Sequence, residues 1–587
     1  MNILGISGHY HDSAAALVID GVPVAAVQEE RLSRHKNDAG FPLAAIEWCL
    51  DHAGLSPDDL DAVIFYEKPT LKFDRVLTGM LQGWPGSWRG YPKAMKNMLG
   101  EKLWVRGLIA SQLGISARKV RCIEHHQSHA AAAFLTAPTQ EAAIITADGV
   151  GEWATFTVGT GHKRADGSTD IRILRELRFP HSLGLFYSAV TSYLGFTVNE
   201  GEYKVMGLAS YGRPTWIEAM RKLLRPTGDG AFALDLRYFD FLGKVESGYS
   251  ERFVALFGPP RKNWQPIDLK SPEGQRFADI AASAQALLEE VMVGIAARLR
   301  NETGISDLCL GGGVALNGVA NARILREAGF DRLFVPSAPG DAGCALGAAL
   351  YADRILFGQP HKPVPDHPYW GPQPDEAALL RIAQEDDIPA IVSGSAIEEV
   401  ADALAVGKVV GWVDGALEYG PRALGHRSIL AAPHDVAMRD RLNRDIKYRE
   451  EFRPFAPVVA AEHADLFFEL PPGGARLARF MSGVVPVRPE WRDRLAGITH
   501  VDGTARVQVL DREMEPRLHA LLEAYGRRTE VPVLLNTSFN LAGEPIVNTV
   551  AEAYSTFRRC GIDLLVAGNV CVTKPRVVRA QILENVA

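Results

Sequence analysis

Two histidines four residues apart carry the clearest chemical signal in this chain. In HHQSHAAAAF, a helix would project His125 and His129 from one face, within reach of a single ion. The alanines that follow favour that helix. Downstream, EAAIITADGVGEW reads as a buried strand ending in Asp148 and a glycine turn, which would carry a third, hard ligand to the same place. A second acidic turn, in PSAPGDAGCALGAAL, sets Asp341 ahead of a helix of very small side chains. Imidazoles and carboxylates together suit a divalent cation, and such a site could hold nucleotide phosphates. An HxxxH pair by itself is usually helix surface; the two aspartates give this one its meaning.

Further along, SDLCLGGGVALNGVANARILREAG runs from a short apolar strand through Gly311, Gly312 and Gly313 toward a helix, with Asn317 in the same loop. Glycines let backbone amides approach an anion, and a helix N-terminus adds partial positive charge. The segment lacks the GK[ST] ending of a Walker loop, so a packing turn is its plain alternative.

The C-terminal part is dense in cations placed in turns: GPRALGHRSI, IKYREEFRPFAPVV and DGTARVQVL. Arg422, Arg427, Lys447, Arg449, Arg453 and Arg506 lie among glycines, prolines and aromatics, not along a helical stripe. Guanidinium forks bind phosphate bidentately, so the set points to a pocket for a small anion. In LLNTSFNLAGEPIV, Asn536, Ser538 and Asn540 offer neutral hydrogen bonds that could read an amide-like group or cap the turn.

These groups need elements to position them. The N-terminus reads as strand, glycine-containing turn, strand, tight turn at Asp20-Gly21 and third strand, and a comparable pattern returns at AAIITADGVGEWATFTVGTG. A duplicated unit of this kind is expected of an actin-like ATPase core, an α/β fold that closes on one nucleotide from two sides. The proline-dense stretch from Phe357 to Pro374 excludes continuous helix or central strand. It divides the chain into a domain over 1–356 and a mixed α+β domain over 357–587.

With 587 residues, 47% hydrophobic and 23% charged, the chain is an ordinary globular composition too long for one core. A net charge of -7 argues against a general nucleic-acid binder. Six scattered cysteines without a CxxC pair disfavour zinc ribbons and disulfide frameworks, which fits a reducing cytoplasm. The N-terminus already reads as structure, not as a signal peptide, and no apolar run reaches the length of a membrane span. A soluble, cytoplasmic protein is expected, with a homodimer as the prior for its assembly.

The motifs GISGHYHDSAAALVIDG, HHQSHAAAAF, ITADGVGEWAT, GEYKVMGLASYG, GGGVALN, APGDAGCALGAAL, GPRALGHRSI, FRPFAPVV and LNTSFN follow one another over nearly the whole chain. In this the chain resembles the O-carbamoyltransferases of the nodulation-factor, cephamycin and tobramycin type. The resemblance implies an N-terminal domain with the actin-like (ASKHA) fold of the universal tRNA-threonylcarbamoylation protein, and a YrdC-like C-terminal domain. It implies two half-reactions: carbamoyl phosphate and ATP give carbamoyladenylate and pyrophosphate in the second domain, and the first transfers the carbamoyl group to a hydroxyl of a small-molecule acceptor, releasing AMP. Activation inside a closed pocket would keep short-lived carbamate from water.

The same resemblance implies His125, His129, Asp148 and Asp341 as ligands of a divalent metal, with Fe(II) as precedent, and His11 as general base with Lys36 as a nearby cation. It assigns Arg422, Arg427, Lys447, Arg453, Arg506 and Ser538 to the carbamoyl phosphate and ATP pocket. EGEYK at 200–204 departs from relatives with glycine before the lysine, so Tyr203 is expected to shape the acceptor side in place of a nucleotide role for Lys204. The insertion Thr70–Glu101 is a candidate wall of the acceptor pocket. Rival readings are a tRNA threonylcarbamoyl-type transferase, disfavoured by the acidic balance; hydrogenase maturation, disfavoured by the missing CxxC pairs; and an actin-like ATP-binding scaffold, which gives no reason for two charged sites.

Overall fold

The computed structural model describes residues 1–84, 87, 92, 95, 96, 99, 102–228, 230–242 and 248–574. Most of the Thr70–Glu101 insertion beyond Trp84 therefore lies outside the described residues.

The first sheet holds β1 (Asn2–Ser7), β2 (Ala14–Ile19), β3 (Val22–Gln28), β4 (Ala62–Phe65) and β5 (Val120–Cys122) in the order β3-β2-β1-β4-β5. β1, β2 and β3 are antiparallel neighbours, while β4 and β5 join parallel to β1. The second holds β6 (Glu141–Ala147), β7 (Ala154–Lys163) and β8 (Thr169–Arg178). Past a small hairpin of β9 (Leu224–Thr227) and β10 (Ala231–Leu234), it adds β11 (Asp307–Gly311) and β12 (Arg332–Phe334). Its order, β12-β11-β6-β7-β8, is the first order repeated, again with two antiparallel and two parallel pairings. This duplication is the actin-like fold. β1, β2 and β6 are buried almost throughout, because helices cover both faces of each sheet.

The helices His125–Leu135 and Asp341–Tyr351 pack together between the sheets, and the latter also lies on β1 and β2. Small residues make this possible. A Cβ on Gly347 would lie 2.1 Å from the Ser128 carbonyl oxygen, and one on Gly5 would lie 1.9 Å from that of Ala345. The 32-residue helix Pro272–Thr303 is long and apolar enough, through its alanines, to cross a membrane, an apolar run the sequence reading passed over; 67% of that window is buried in the core of the second sheet.

The C-terminal part is a mixed eight-stranded sheet. Its strands are β13 (Ala390–Val392), β14 (Val410–Val413), β15 (Arg427–Ala431), β16 (Ala456–Ala460), β19 (Gln508–Leu510), β20 (Val533–Ser538), β21 (Leu564–Ala567) and β22 (Val570–Thr573), ordered β13-β22-β21-β14-β15-β20-β16-β19. A two-stranded ribbon, β17 (Val485–Pro486) and β18 (Thr504–Ala505), stands apart from it. The proline-dense stretch carries little regular structure but is not loose. Ala26 donates to the Trp370 carbonyl, and Trp370, Tyr419, Leu424 and Met481 pack into the same core as β1, β2 and β4.

Candidate functional site

The four residues read as metal ligands converge. His125 and His129 project from the helix His125–Leu135 with their Nε2 atoms 3.0 Å apart. Asp341, first residue of the facing helix, places Oδ1 at 3.6 Å from His125 Nε2 and 3.5 Å from His129 Nε2. Asp148, at the end of β6, brings Oδ2 to 3.2 Å from His125 Nε2, while its Oδ1 accepts from the Gly313 amide at 2.8 Å. Donor atoms bound at about 2.1 Å to one ion lie about 3 Å apart, so this spacing fits a shared cation. The buried Oδ2 of Asp341 has no hydrogen-bond partner, as expected of a carboxylate left with a coordination position to fill. The Nδ1 atoms of both rings are also without partners; packing orients the rings, with Tyr66 edge-on to His125 at 5.2 Å and the two imidazoles edge-on at 4.5 Å.

Electrostatics in the cluster are those of a proton held where a cation belongs. Burial pulls the His125 pKa down, but Asp341 and Asp148 outweigh it and lift it to about 9. His11 behaves alike: burial lowers it, Asp341 and Asp12 raise it further, and it rests at about 9. Its Nε2 lies 3.8 Å from Asp341 Oδ2 and its Nδ1 3.2 Å from Asp12 Oδ2. His126 is set aside from this group. It pairs with Thr146 Oγ1, and burial with its two histidine neighbours pushes its pKa well down.

Cys344 also stands within the cluster, one helical turn from Asp341, and was not singled out in the sequence. An i, i+3 spacing from Asp341 was the available signal. Burial, with Asp341 and Asp148 near, holds its thiol well above the usual range, so it is present as a neutral thiol.

The glycine loop works at the same centre, chiefly by close approach. Gly312 has φ of 92°, and a Cβ there would meet the Ala147 carbonyl oxygen at 2.2 Å; Gly313 donates to Asp148 as above. Asn317 is used within the fold: its side chain caps the helix Gly318–Glu327 through Ala320 N and exchanges two hydrogen bonds with Gln285.

A second cluster gathers the C-terminal cations. Burial lowers the proton affinity of Arg422 to about 10 and those of Lys447, Arg449 and Arg506 well below their usual values, and for each the neighbouring cations push further in the same direction. Arg453 belongs to this group, 3.7 Å from Glu450. Lys447 is held by the Ser538 and Asn540 oxygens at 2.5–3.2 Å. Asn536 lies beside it on β20, donating to Gln508 Oε1 at 2.7 Å, with its own Oδ1 buried and unpaired. So many mutually repelling cations call for an anion.

Three of the residues singled out in the sequence are engaged by other groups of the protein. Arg427 is fully buried, and its guanidinium donates to the carbonyls of Pro372, Asp414, Gly415, His426 and Asn548, which makes it a tie between segments of the C-terminal part. Lys36 pairs with Glu200, and its charge is felt at Lys447. Tyr203 lies under Arg453, 4.7 Å from ring centre to guanidinium carbon, and Lys204 binds Glu450 Oε1 at 2.7 Å; both therefore face the cation cluster and not an acceptor side.

Comparison with known proteins gives a consistent result. Residues 2–350 match the carbamoyltransferase N-terminus family and residues 401–574 the carbamoyltransferase C-terminus family. An uncharacterized protein of Synechocystis is 42% identical over 98% of this chain and 97% of its own length. Nodulation protein NolNO of Sinorhizobium fredii is 37% identical over 96% of this chain and 79% of its own. Among solved structures, HypF of T. kodakarensis aligns over 61% of this chain and 48% of its own at 15% identity, with a TM-score of 0.31.

Proposed function

The chain belongs to the carbamoyltransferase family, and from that premise we propose that it is an ATP-dependent O-carbamoyltransferase working in two steps. Residues 357–587 convert carbamoyl phosphate and water to carbamate and inorganic phosphate and join the carbamate to ATP as carbamoyladenylate, releasing pyrophosphate; residues 1–356 pass the carbamoyl group to a hydroxyl of a small-molecule acceptor, releasing AMP. The observation that carries this reading is the pairing of a cation cluster short of carboxylates with a separate imidazole and carboxylate centre in one chain. Neither cluster alone would need the other.

In the first step, Arg422, Lys447, Arg453 and Arg506 bind and orient the phosphates, and Asn536 faces the amide end of the carbamoyl group. Arg453 is held flat on Tyr203, which fixes its fork. Lys36 meets the phosphate as the adenylate moves between clusters. In the second step, His125, His129, Asp148 and Asp341 hold a divalent cation, iron(II) by family precedent. When bound, that cation supplies positive charge against the adenylate phosphate and weakens the hold of Asp341 on the His11 proton. His11 then takes the proton of the acceptor hydroxyl at Nε2 as the oxygen attacks the carbamoyl carbon, and AMP leaves. The loop at Gly311, Gly312 and Gly313 keeps Asp148 in place and leaves room for the nucleotide.

The test is a product balance. With ATP and carbamoyl phosphate the protein should release pyrophosphate and, once an acceptor hydroxyl is supplied, AMP and a product heavier by a carbamoyl group. ADP as the nucleotide product, or no dependence on carbamoyl phosphate, would end this reading. His129→Ala should lose bound metal and transfer while keeping pyrophosphate release.

A further inference from the structure

The helix Pro69–Gln82 lies over the loop that carries Asp148, and it holds an arginine that finds no carboxylate or carbonyl among the described residues. Three contacts dock the helix. Its start is held where the Lys68 amide donates to Glu152 Oε1 at 2.7 Å, Asp74 accepts from Trp153 Nε1 at 2.9 Å, and Lys72 binds both oxygens of Glu67 at 2.8 and 2.7 Å. Arg75, one turn beyond Lys72, makes no hydrogen bond or ion pair among the described residues; its Nη1 is buried without a partner, and its guanidinium rests 5.5 Å from the Phe179 ring centre. The two carboxylates near enough to influence it are both engaged, Glu67 by Lys72 and Glu152 by the amides of Lys68 and His125. The Arg75 side chain is half-buried, and leaving its buried Nη1 unpaired is costly unless a ligand completes it.

Its position ties it to the transfer centre. Lys72 stands over the Tyr10 ring at 5.3 Å, the Tyr10 and His11 rings are 4.4 Å apart, and His11 Nε2 is 3.8 Å from Asp341. The Tyr10 phenol is pushed up to about 12 by burial and by Asp341 and Asp148, against the opposing pull of Arg75, so this side chain lies within electrostatic reach of both the ligand carboxylates and that guanidinium. Tyr10 is also 38% exposed, so the place is reached from solvent.

We infer that Arg75, flanked by Tyr10 and Phe179, is an oxyanion subsite for the acceptor, so that the alcohol this protein carbamoylates bears a carboxylate or a phosphate. The inference rests on the proposed transfer at His11 and goes beyond it in naming the acceptor's chemical class. Arg75 acts here as a specificity residue, since the bond changes occur at His11 and the adenylate.

The experiment uses full-length wild type, Arg75→Met and Arg75→Lys. Each is given hydroxylated compounds in matched pairs: a hydroxy carboxylate with its methyl ester, and a sugar phosphate with the parent sugar. Contact is read by saturation-transfer NMR, and pyrophosphate release from ATP and carbamoyl phosphate is read without acceptor. In wild type the charged member of at least one pair should bind about tenfold more tightly than its neutral partner, as one charge-assisted pair warrants. That preference should vanish in Arg75→Met and persist in part in Arg75→Lys, with pyrophosphate release equal in all three. Preference confined to the carboxylate or the phosphate pair identifies the anion. No preference in wild type, or an equal preference in wild type and Arg75→Met, overturns the inference. Absence of pyrophosphate release in wild type counts against the two-step reaction instead and leaves the pair comparison to judge Arg75.

Discussion

Arg427 and Arg453 show how two arginines close in sequence take opposite work. Both have glycine or proline close by in the sequence, and nothing local separates them, because the carbonyls that occupy Arg427 come from residues as distant as Pro372 and Asn548. Removing it leaves several buried carbonyls unpaired, each worth about 1 kcal/mol or more. Arg427→Met should therefore lower the urea midpoint by the equivalent of about 3 kcal/mol, while the folded fraction keeps the wild-type KM for carbamoyl phosphate. Arg453→Ala should do the reverse, cutting pyrophosphate release about 100-fold or more at unchanged stability, as loss of a phosphate-binding fork does. The imidazole pair was legible for the opposite reason: its four-residue spacing is local, and a helix converts it directly into a shared face. Cys344 was open to the same local argument through its i, i+3 spacing from Asp341, whereas Tyr10 was not, since only the folding of distant segments brings it within electrostatic reach of Asp341.

At the scale of elements, the approach of the helices His125–Leu135 and Asp341–Tyr351 fixes the metal ligands. Gly347 is the point of nearest contact, so Gly347→Val should push the helices apart, destabilise the protein by about 1–3 kcal/mol and reduce metal content measured by emission spectroscopy. The duplicated hairpins were readable from alternating strands and turns, and β11 as the short apolar strand before Gly311, but its pairing with β6 across a long insertion and the three-residue β12 carry no periodic signal. A second prediction concerns the start of β15 and the helix Pro516–Thr529, which meet through His426 Nε2 and Glu515 Oε2 at 2.9 Å. Burial opposes protonation of His426, but Glu515 outweighs it and raises its pKa. The native state thus holds the proton more tightly than the unfolded chain, so the pair's contribution is complete below about pH 6.5 and is lost as pH rises through the higher native value. Chemical denaturation should show a larger advantage of wild type over Glu515→Gln at pH 6 than at pH 9.

Over the whole molecule, the two family matches do not correspond to two independent cores. Trp370, Leu417, Tyr419, Leu424, Phe480, Met481 and Ile546 share one apolar cluster with β1, β2 and β4. Arg31 and Arg34 reach across to the carbonyls of Gly420, Pro545 and Ile546, and Tyr419 donates to that of Ala342. Calorimetry should accordingly give one cooperative transition, and residues 1–356 expressed alone should bind a hydrophobic dye that the full chain does not. The proline-dense boundary was visible in composition, but its burial was not, because Trp370 finds its neighbours more than 300 residues away in β3.

The helix Pro69–Gln82 stands outside both five-stranded sheets and is fastened by a handful of polar contacts. Packing of the two sheets therefore leaves its inward side chains open to change, and substitutions there should alter what the neighbouring surface admits before they cost either sheet stability.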